Sequence, residues 1–207
     1  MKNIFDIFNR NPLHSEIFKA AGSLGEDLRM SVFLVGGYVR DIFLNRENKD
    51  IDLMVEGDSI LFAEKLSSKL NAGQIVVYEK FKTALIPYNG IEIEIAASRK
   101  EAYNTQSRKP VVKDATVEED LSRRDFTINA MAVSLSPKGF GDLQDPFNGR
   151  KDIEDSVLIT PLDPDETFSD DPLRMMRATR FAAQLNFTIV SDIYESIKKK
   201  SHRLSII

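Results

Sequence analysis

The chain has 207 residues, 42% of them hydrophobic and 29% charged, with a formal net charge of -4. That balance suits one large globular domain, or one domain with a helical appendage, and excludes a chain-wide basic footprint for nucleic acid, so any such contact has to come from local patches. With no cysteine, disulfides, thiolate zinc sites and cysteine nucleophiles are excluded, and the two histidines, His14 and His202, lie near the ends and leave little for histidine-centred acid–base chemistry.

Apolar positions at helical spacing predict an amphipathic helix over residues 14–28. Residues 32–35 read as a strand, 38–44 as a short helix and 51–55 as a second strand. A further amphipathic helix follows over 59–70, with Leu61, Phe62, Leu66 and Leu70 facing inward. Three β-like runs at 74–78, 83–87 and 91–96, parted by Glu-Lys-Phe and Asn-Gly, predict an antiparallel meander. Over 100–119 apolar periodicity disappears and a long mobile loop is expected. A strand resumes at 131–135, Pro137-Lys138-Gly139 and residues 145–149 mark turns, and a short helix leads to a strand at 157–160. After Pro161 the pattern is helical. Asp170-Asp171-Pro172 is expected to start a helix reaching Asn186, with Leu173, Met176, Phe181 and Leu185 on its apolar face. Another runs from Ser191 into Lys198-Lys199-Lys200. No apolar run approaches the roughly 20 residues of a membrane span and no signal-peptide layout opens the chain, so a cytoplasmic address without membrane contact is expected. The uncapped apolar end at Ile207 suggests a piece of a longer parent.

The chemistry concentrates in a few places. Gly36 and Gly37 stand where a strand gives way to a helix, and free backbone N–H groups at such a junction can hold phosphate oxygens. Asp50 and Asp52 alternate on a strand and so share a face. They repel each other unless a hard cation such as Mg²⁺ sits between them. The plain alternative is an edge strand with a solvated acidic face. In the run Ile91-Glu92-Ile93-Glu94-Ile95 both glutamates face away from the isoleucines. One of them would complete a three-carboxylate cage for two metals, which activates a ribose hydroxyl and steadies departing pyrophosphate.

Arg123, Arg124, Asp125 and Asn129 combine guanidinium forks suited to phosphate with groups suited to ribose hydroxyls, the alternative being a surface helix with internal salt bridges. Asp171 and Arg174 lie three apart on a helical face, as do Arg174 and Arg177. They form either an ion pair or an edge reader: the acid accepts from an exocyclic amine and the guanidinium donates to the ring, selecting cytosine and adenine. Together these features point to nucleotidyl transfer. Two rivals remain. One is an aspartyl-phosphate phosphohydrolase, which also uses D-x-D but leaves the glycine pair unexplained; the other is a non-catalytic nucleotide- or RNA-binding module.

The ordered motifs LVGGYVRD, DIDLMV, EIAASR, DLSRRDFTINAMA, DPFNGRKDI and DDPLRMMRATRFAAQLNF, spread over residues 33–187, resemble the class II tRNA nucleotidyltransferases, that is, the CCA-adding enzymes and their bacterial poly(A) polymerase relatives. The resemblance implies an α+β fold. A polymerase-β-like nucleotidyltransferase head, a mixed sheet flanked by helices, would span residues 1–160, and a helical neck 161–207. It places Gly36, Gly37 and Arg40 on the triphosphate motif, Asp50 and Asp52 on the metal-binding aspartates, and Glu94 on the third catalytic acid with Glu92 in reserve. Arg124, Asp125 and Asn129 fall on the ribose motif, and Asp145, Gly149 and Asp152 on the turn that couples head and neck. Asp171 and Arg174 fall on the base-templating pair, Asp170 standing where the family has Glu. Residues 100–119 correspond to the family's flexible loop, implicated in switching from C to A addition. The implied cofactor is Mg²⁺, the substrates CTP and ATP, and the partner a tRNA 3′ end or other RNA. A poly(A) or A-adding specialist stays open beside CCA addition, and the RNA-gripping body and tail domains would lie past Ile207.

Overall fold

Asn11 opens the first helix, α1 (Pro12–Leu28): its side-chain oxygen accepts from the Leu13 and His14 amides, and Pro12 takes the first turn, where no partner amide is needed. The computed structural model describes Ile4 and residues 11–48, 50–104 and 107–206, with the backbone alone for 100–104, 107–114 and 206. After α1 the chain forms β1 (Ser31–Val35), α2 (Gly37–Phe43), β2 (Asp50–Glu56) and α3 (Ser59–Leu70). The strands β3 (Val76–Tyr78), β4 (Thr83–Tyr88) and β5 (Ile91–Ala97) follow as the expected meander. Next come β6 (Arg99–Asn104), β7 (Ser107–Asp114), α4 (Val117–Ser122), β8 (Ala132–Ser134), β9 (Leu143–Gln144), α5 (Gly149–Glu154) and β10 (Val157–Leu158). The chain continues with α6 (Pro164–Asp170), α7 (Leu173–Leu185), β11 (Thr188–Ile189) and α8 (Ser191–Lys200).

Seven strands form one mixed sheet in the order β3-β4-β5-β2-β1-β8-β9. Within it β2 and β5 run parallel and the other neighbours antiparallel. Strand alternation then sorts the side chains. Ile51, Leu53, Val55, Ile93 and Ile95 join Phe18, Phe62 and Leu66 of α1 and α3 in the main core. Asp50, Asp52, Glu92 and Glu94 take the opposite face, where Phe33, Val35 and Met54 pack on Leu121, Ala130 and Ala132. The fold is thus the mixed sheet flanked by helices, followed by a helical region, of a polymerase-β-like nucleotidyltransferase head. Among the described residues no helix is long and apolar enough to cross a membrane.

Three expectations are corrected and one helix is added. Residues 100–119 are not a loop: β6 and β7 pair as an antiparallel ribbon in their own two-stranded sheet, and Val117–Ser122 is helical with a Thr116/Glu119 capping box. A ribbon of two strands is held by main-chain bonds and needs no alternating apolar face. Asp170-Asp171-Pro172 starts the long helix as expected, with Pro172 at its N-cap and Asp171 Oδ1 accepting from the Leu173 amide. A separate helix, α6, precedes it, capped by Asp163, and the chain breaks at Asp171 before α7 begins. Leu61 faces solvent at 37% exposure. On α7 the buried face is Met175, Ala178, Phe181 and Leu185, whereas Met176 points outward.

Candidate active site

The parallel register of β2 and β5 sets Asp52 beside Glu94 and Asp50 beside Glu92. Asp50, Asp52, Glu92 and Glu94 line a hollow of about 400 Å³ together with Asp41 and Arg40. A larger cavity of about 1000 Å³ opens next to it and shares Asp52 and Glu94, but not Asp50 or Glu92. The Asp52 carboxyl is pushed up to about 6. Burial is the main cause, the charges of Glu94 and Asp50 add to it, and Arg124 and Arg40 pull the other way.

A carboxylate held in this state favours an added cation, and Asp50 and Asp52 on one strand face offer the hard oxygen ligands Mg²⁺ takes. The full three-carboxylate cage is not preformed, since among the described residues no three acidic or histidine side chains are placed to hold a metal. The donor set still fits Mg²⁺, which commonly takes one or two carboxylates and completes its shell with water and substrate phosphate.

Where β1 meets α2, Gly36 adopts φ 69°, a left-handed conformation natural to glycine. A Cβ there would lie 3.2 Å from Arg124 Nη1 and 3.3 Å from Asp52 Oδ2, so this turn is where the acid and the arginine converge. Gly37 begins α2 and lines both hollows. Arg40, buried on α2, donates through Nη1 to Asn129 Oδ1 (2.8 Å), pairs with Asp41 (2.8 Å) and lies over the Phe181 ring.

After α4 the segment carrying Asp125 and Asn129 turns inward rather than forming a surface helix. Thr127–Asn129 is one turn of 3₁₀ helix, buried against the sheet. Asp125 Oδ1 accepts from the Phe126 amide (2.9 Å) and Asn129 Nδ2 (3.1 Å), while its Oδ2 accepts from Arg177 Nε (2.6 Å). Arg177 thereby ties α7 to the sheet domain. Buried Arg174 and half-buried Asp171 line the large cavity along with Asp52 and Glu94, and Asp171 Oδ1 accepts from the Leu173 amide.

Asp145, Gly149 and Asp152 lie outside both hollows but hold the segment that builds them. Asp145 accepts from the amides of Gly149 (2.6 Å) and Arg150 (3.0 Å) at the start of α5. A Cβ on Gly149 would come within 2.1 Å of the Thr127 carbonyl oxygen, so only glycine lets α5 approach that turn. Asp152 Oδ2 accepts from Thr127 Oγ1 at 2.5 Å. Burial raises the Asp152 carboxyl, neighbouring acids add to this, and the Thr127 hydrogen bond opposes it.

The structure brings Gly36, Gly37, Arg40, Asp52 and Glu94 onto one cavity with Arg124, Asp125, Asn129, Asp171, Arg174 and Arg177. Sequence reasoning missed Asp120, the buried acid that holds Arg123 and Arg124, although their spacing of three and four residues in EEDLSRRD was a legible signal. It also missed Lys80, Phe81 and Arg99 on the cavity wall, and Arg180 and Gln184, which continue the helical spacing of Arg174 and Arg177.

Residues 32–159 match the poly A polymerase head domain family. The A-adding tRNA nucleotidyltransferase of Geobacter sulfurreducens is 40% identical over 178 residues, 86% of this chain and 20% of that protein. A solved CCA-adding enzyme, in its second apo form, superposes with a TM-score of 0.87 at 37% identity, covering 95% of this chain and 46% of that one. Another, a CCA-adding enzyme complexed with CTP, gives a TM-score of 0.84 at 34% identity over 97% of this chain and 45% of that one. The chain therefore spans less than half the length of these relatives. With the family match over most of its length, and the same fold in a solved relative at 37% identity, the chain belongs to the poly(A) polymerase head-domain family of class II tRNA nucleotidyltransferases.

Proposed function

We propose that this chain is the nucleotide-handling part of a template-independent RNA nucleotidyltransferase that adds C and A to tRNA 3′ ends. One observation carries the reading: Asp52 and Glu94 of the acidic sheet face, Arg124, Asp125 and Asn129, and the Asp171/Arg174 pair line a single cavity. In the reaction the RNA 3′-hydroxyl attacks the α-phosphate of CTP or ATP, a phosphodiester bond forms, and pyrophosphate leaves. Asp50 and Asp52 would hold Mg²⁺, with Glu94 as the third acid beside them in register. When bound, the ion lowers the pKa of the attacking hydroxyl and neutralises the leaving group.

Gly36, Gly37, Arg40 and Arg124 would bind the triphosphate, and Asp125 and Asn129 the ribose, since Asp125 Oδ2 and Asn129 Oδ1 each accept one bond and keep a second lone pair. Asp171 and Arg174 would read the base edge, with Arg177 bracing α7 against Asp125. Asp145, Gly149 and Asp152 would transmit movement between a head (1–160) and a neck (161–207); the family match ending at 159 supports that division. A cytoplasmic location is part of the same proposal.

The 40% identity to an A-adding enzyme favours A addition as the second reading. The test uses the parent protein with tRNA lacking CCA and each nucleoside triphosphate alone. Incorporation of CTP and ATP with pyrophosphate release is expected, and Asp52→Ala should abolish it without loss of fold. ATP use without CTP use would establish the A-adding reading. Retained incorporation by the variant would refute the role given to Asp52.

A further inference from the structure

Asp120 plays no part in the chemistry above, yet it is the most heavily engaged acid of the site. It lies on α4 at 1% exposure, and both oxygens are occupied. Oδ1 accepts from Arg123 Nη2 (2.6 Å), Arg123 Nε (3.1 Å) and the Arg99 amide (3.2 Å). Oδ2 accepts from Arg124 Nη2 (3.0 Å) and Nε (3.2 Å). Arg123 Nε also donates to the Arg99 carbonyl at 2.8 Å, so the first residue of the β6–β7 ribbon is fixed by the same knot.

Two guanidinium charges therefore share one buried carboxylate, and the trio carries a net positive charge at the cavity wall. Burial works against the Asp120 charge, but Arg124 and Arg123 outweigh it and hold the carboxyl below its ordinary range, so it persists as a full counter-charge. Both arginines line the large cavity and are about a fifth exposed.

The geometry of Arg124 is the telling part. With Nε and Nη2 bound to Asp120, the guanidinium plane is set, and Nη1 reaches the Gly36 turn, where Asp52 Oδ2 also arrives. Without Asp120, Asp52 is the nearest remaining carboxylate for this guanidinium at that turn. An Arg124–Asp52 pair would consume a phosphate-binding group and a metal-holding group together.

We propose that Asp120 is a positioning residue for the phosphates of the incoming nucleotide: it aims Arg123 and Arg124 into the cavity and keeps Arg124 from closing onto Asp52. This rests on reading the cavity as a nucleotide site. It deepens that reading by naming the acid that keeps the arginines available.

The test is calorimetric titration of the whole 207-residue chain and its Asp120→Asn variant with ATP and with AMP, in EDTA, alongside thermal unfolding. Asp120→Asn is expected to weaken ATP binding on the order of tenfold while AMP binding changes less than about twofold, because the lost alignment serves the outer phosphates through charge-assisted hydrogen bonds. Unchanged ATP affinity, or an equal loss for ATP and AMP, would overturn the proposal; the second result would mark a merely structural acid. Should the Asn variant lack a cooperative transition, Asp120→Glu keeps the charge and displaces both arginines. It is expected to show the same selective loss of ATP, and wild-type affinity would overturn the proposal. If the unsubstituted chain binds neither nucleotide, the nucleotide reading itself falls, and this inference with it.

Discussion

At the scale of single residues, the site holds two acids, half-buried Asp52 and buried Asp120, whose environments push them in opposite directions. Asp52 is raised from 3.8 to about 6, chiefly by burial and then by its acidic neighbours. Between those values the folded chain keeps a proton that the unfolded chain has released. The stabilising contribution is therefore complete at low pH and is lost as pH rises from about 4 to 6. A shift of about two units corresponds to roughly 3 kcal/mol. Asp52→Asn, which carries no charge at any pH, is accordingly expected to stabilise the metal-free chain by up to about 3 kcal/mol at pH 7.5 and by little at pH 4. Urea unfolding in EDTA at the two pH values checks this, and equal gains at both would contradict the assigned cause. Asp120 has the reverse sign: its contribution is present above the ordinary carboxylate range and disappears as pH falls below it.

At the scale of elements, the seat of Asn129 depends on how closely α5 approaches the Thr127–Asn129 turn. Gly149→Ala would put a methyl group 2.1 Å from the Thr127 carbonyl. The helix must back away, at a cost of about 3 kcal/mol. The expected result is a lowered Tm together with weaker ATP binding, because Arg40 loses its fixed partner in Asn129; a variant with wild-type Tm would show that the turn yields freely. The elements that could be read in the sequence were those with an inward face. The core strands and α1 carry their alternation or helical period plainly, and so does the meander. The β6–β7 ribbon could not be found that way, since a two-stranded sheet made by main-chain pairing has no core periodicity to display. α6 was legible and overlooked: Asp163-Pro164-Asp165-Glu166 is an N-cap, an N1 proline and a first-turn acid pair. Leu61 and Met176 show the limit of a one-residue phase choice on a helix, where an adjacent apolar residue takes the buried position.

At the scale of the whole molecule, the sheet domain and the long helix meet at Phe181. Its ring packs edge-on against Phe126 at 5.9 Å, and Arg40, Arg177 and Arg180 lie 5.4, 5.1 and 4.9 Å from its centre. One aromatic thus aligns three cavity arginines while closing the seam between head and helices. Phe181→Ala is expected to cost about 3 kcal/mol and to weaken ATP binding at the same time. Thermal unfolding and calorimetry on the same sample check this, and lost stability with intact ATP affinity would separate the seam from the site. The site residues legible in the sequence were those in short ordered motifs. Phe181 was read only as a core position, because its importance comes from Phe126 and Arg40, which folding brings from distant segments.

The parallel pairing of β2 with β5 bears on the order in which the protein assembles. Both acidic strands, and Arg40 with them, precede Arg123, Arg124 and Asn129 in the order of synthesis. A nascent chain ending at β5 would already be able to align Asp52 with Glu94, lacking the arginines that later face them. Like charges on that face oppose the pairing of β2 with β5, both central strands, while β1, which precedes β2 in the chain and pairs with it, carries no charge. The β1–β2 pair is therefore free to form ahead of the β2–β5 pair, and the reactive centre matures late, once the segment after α4 brings in Arg123 and Arg124.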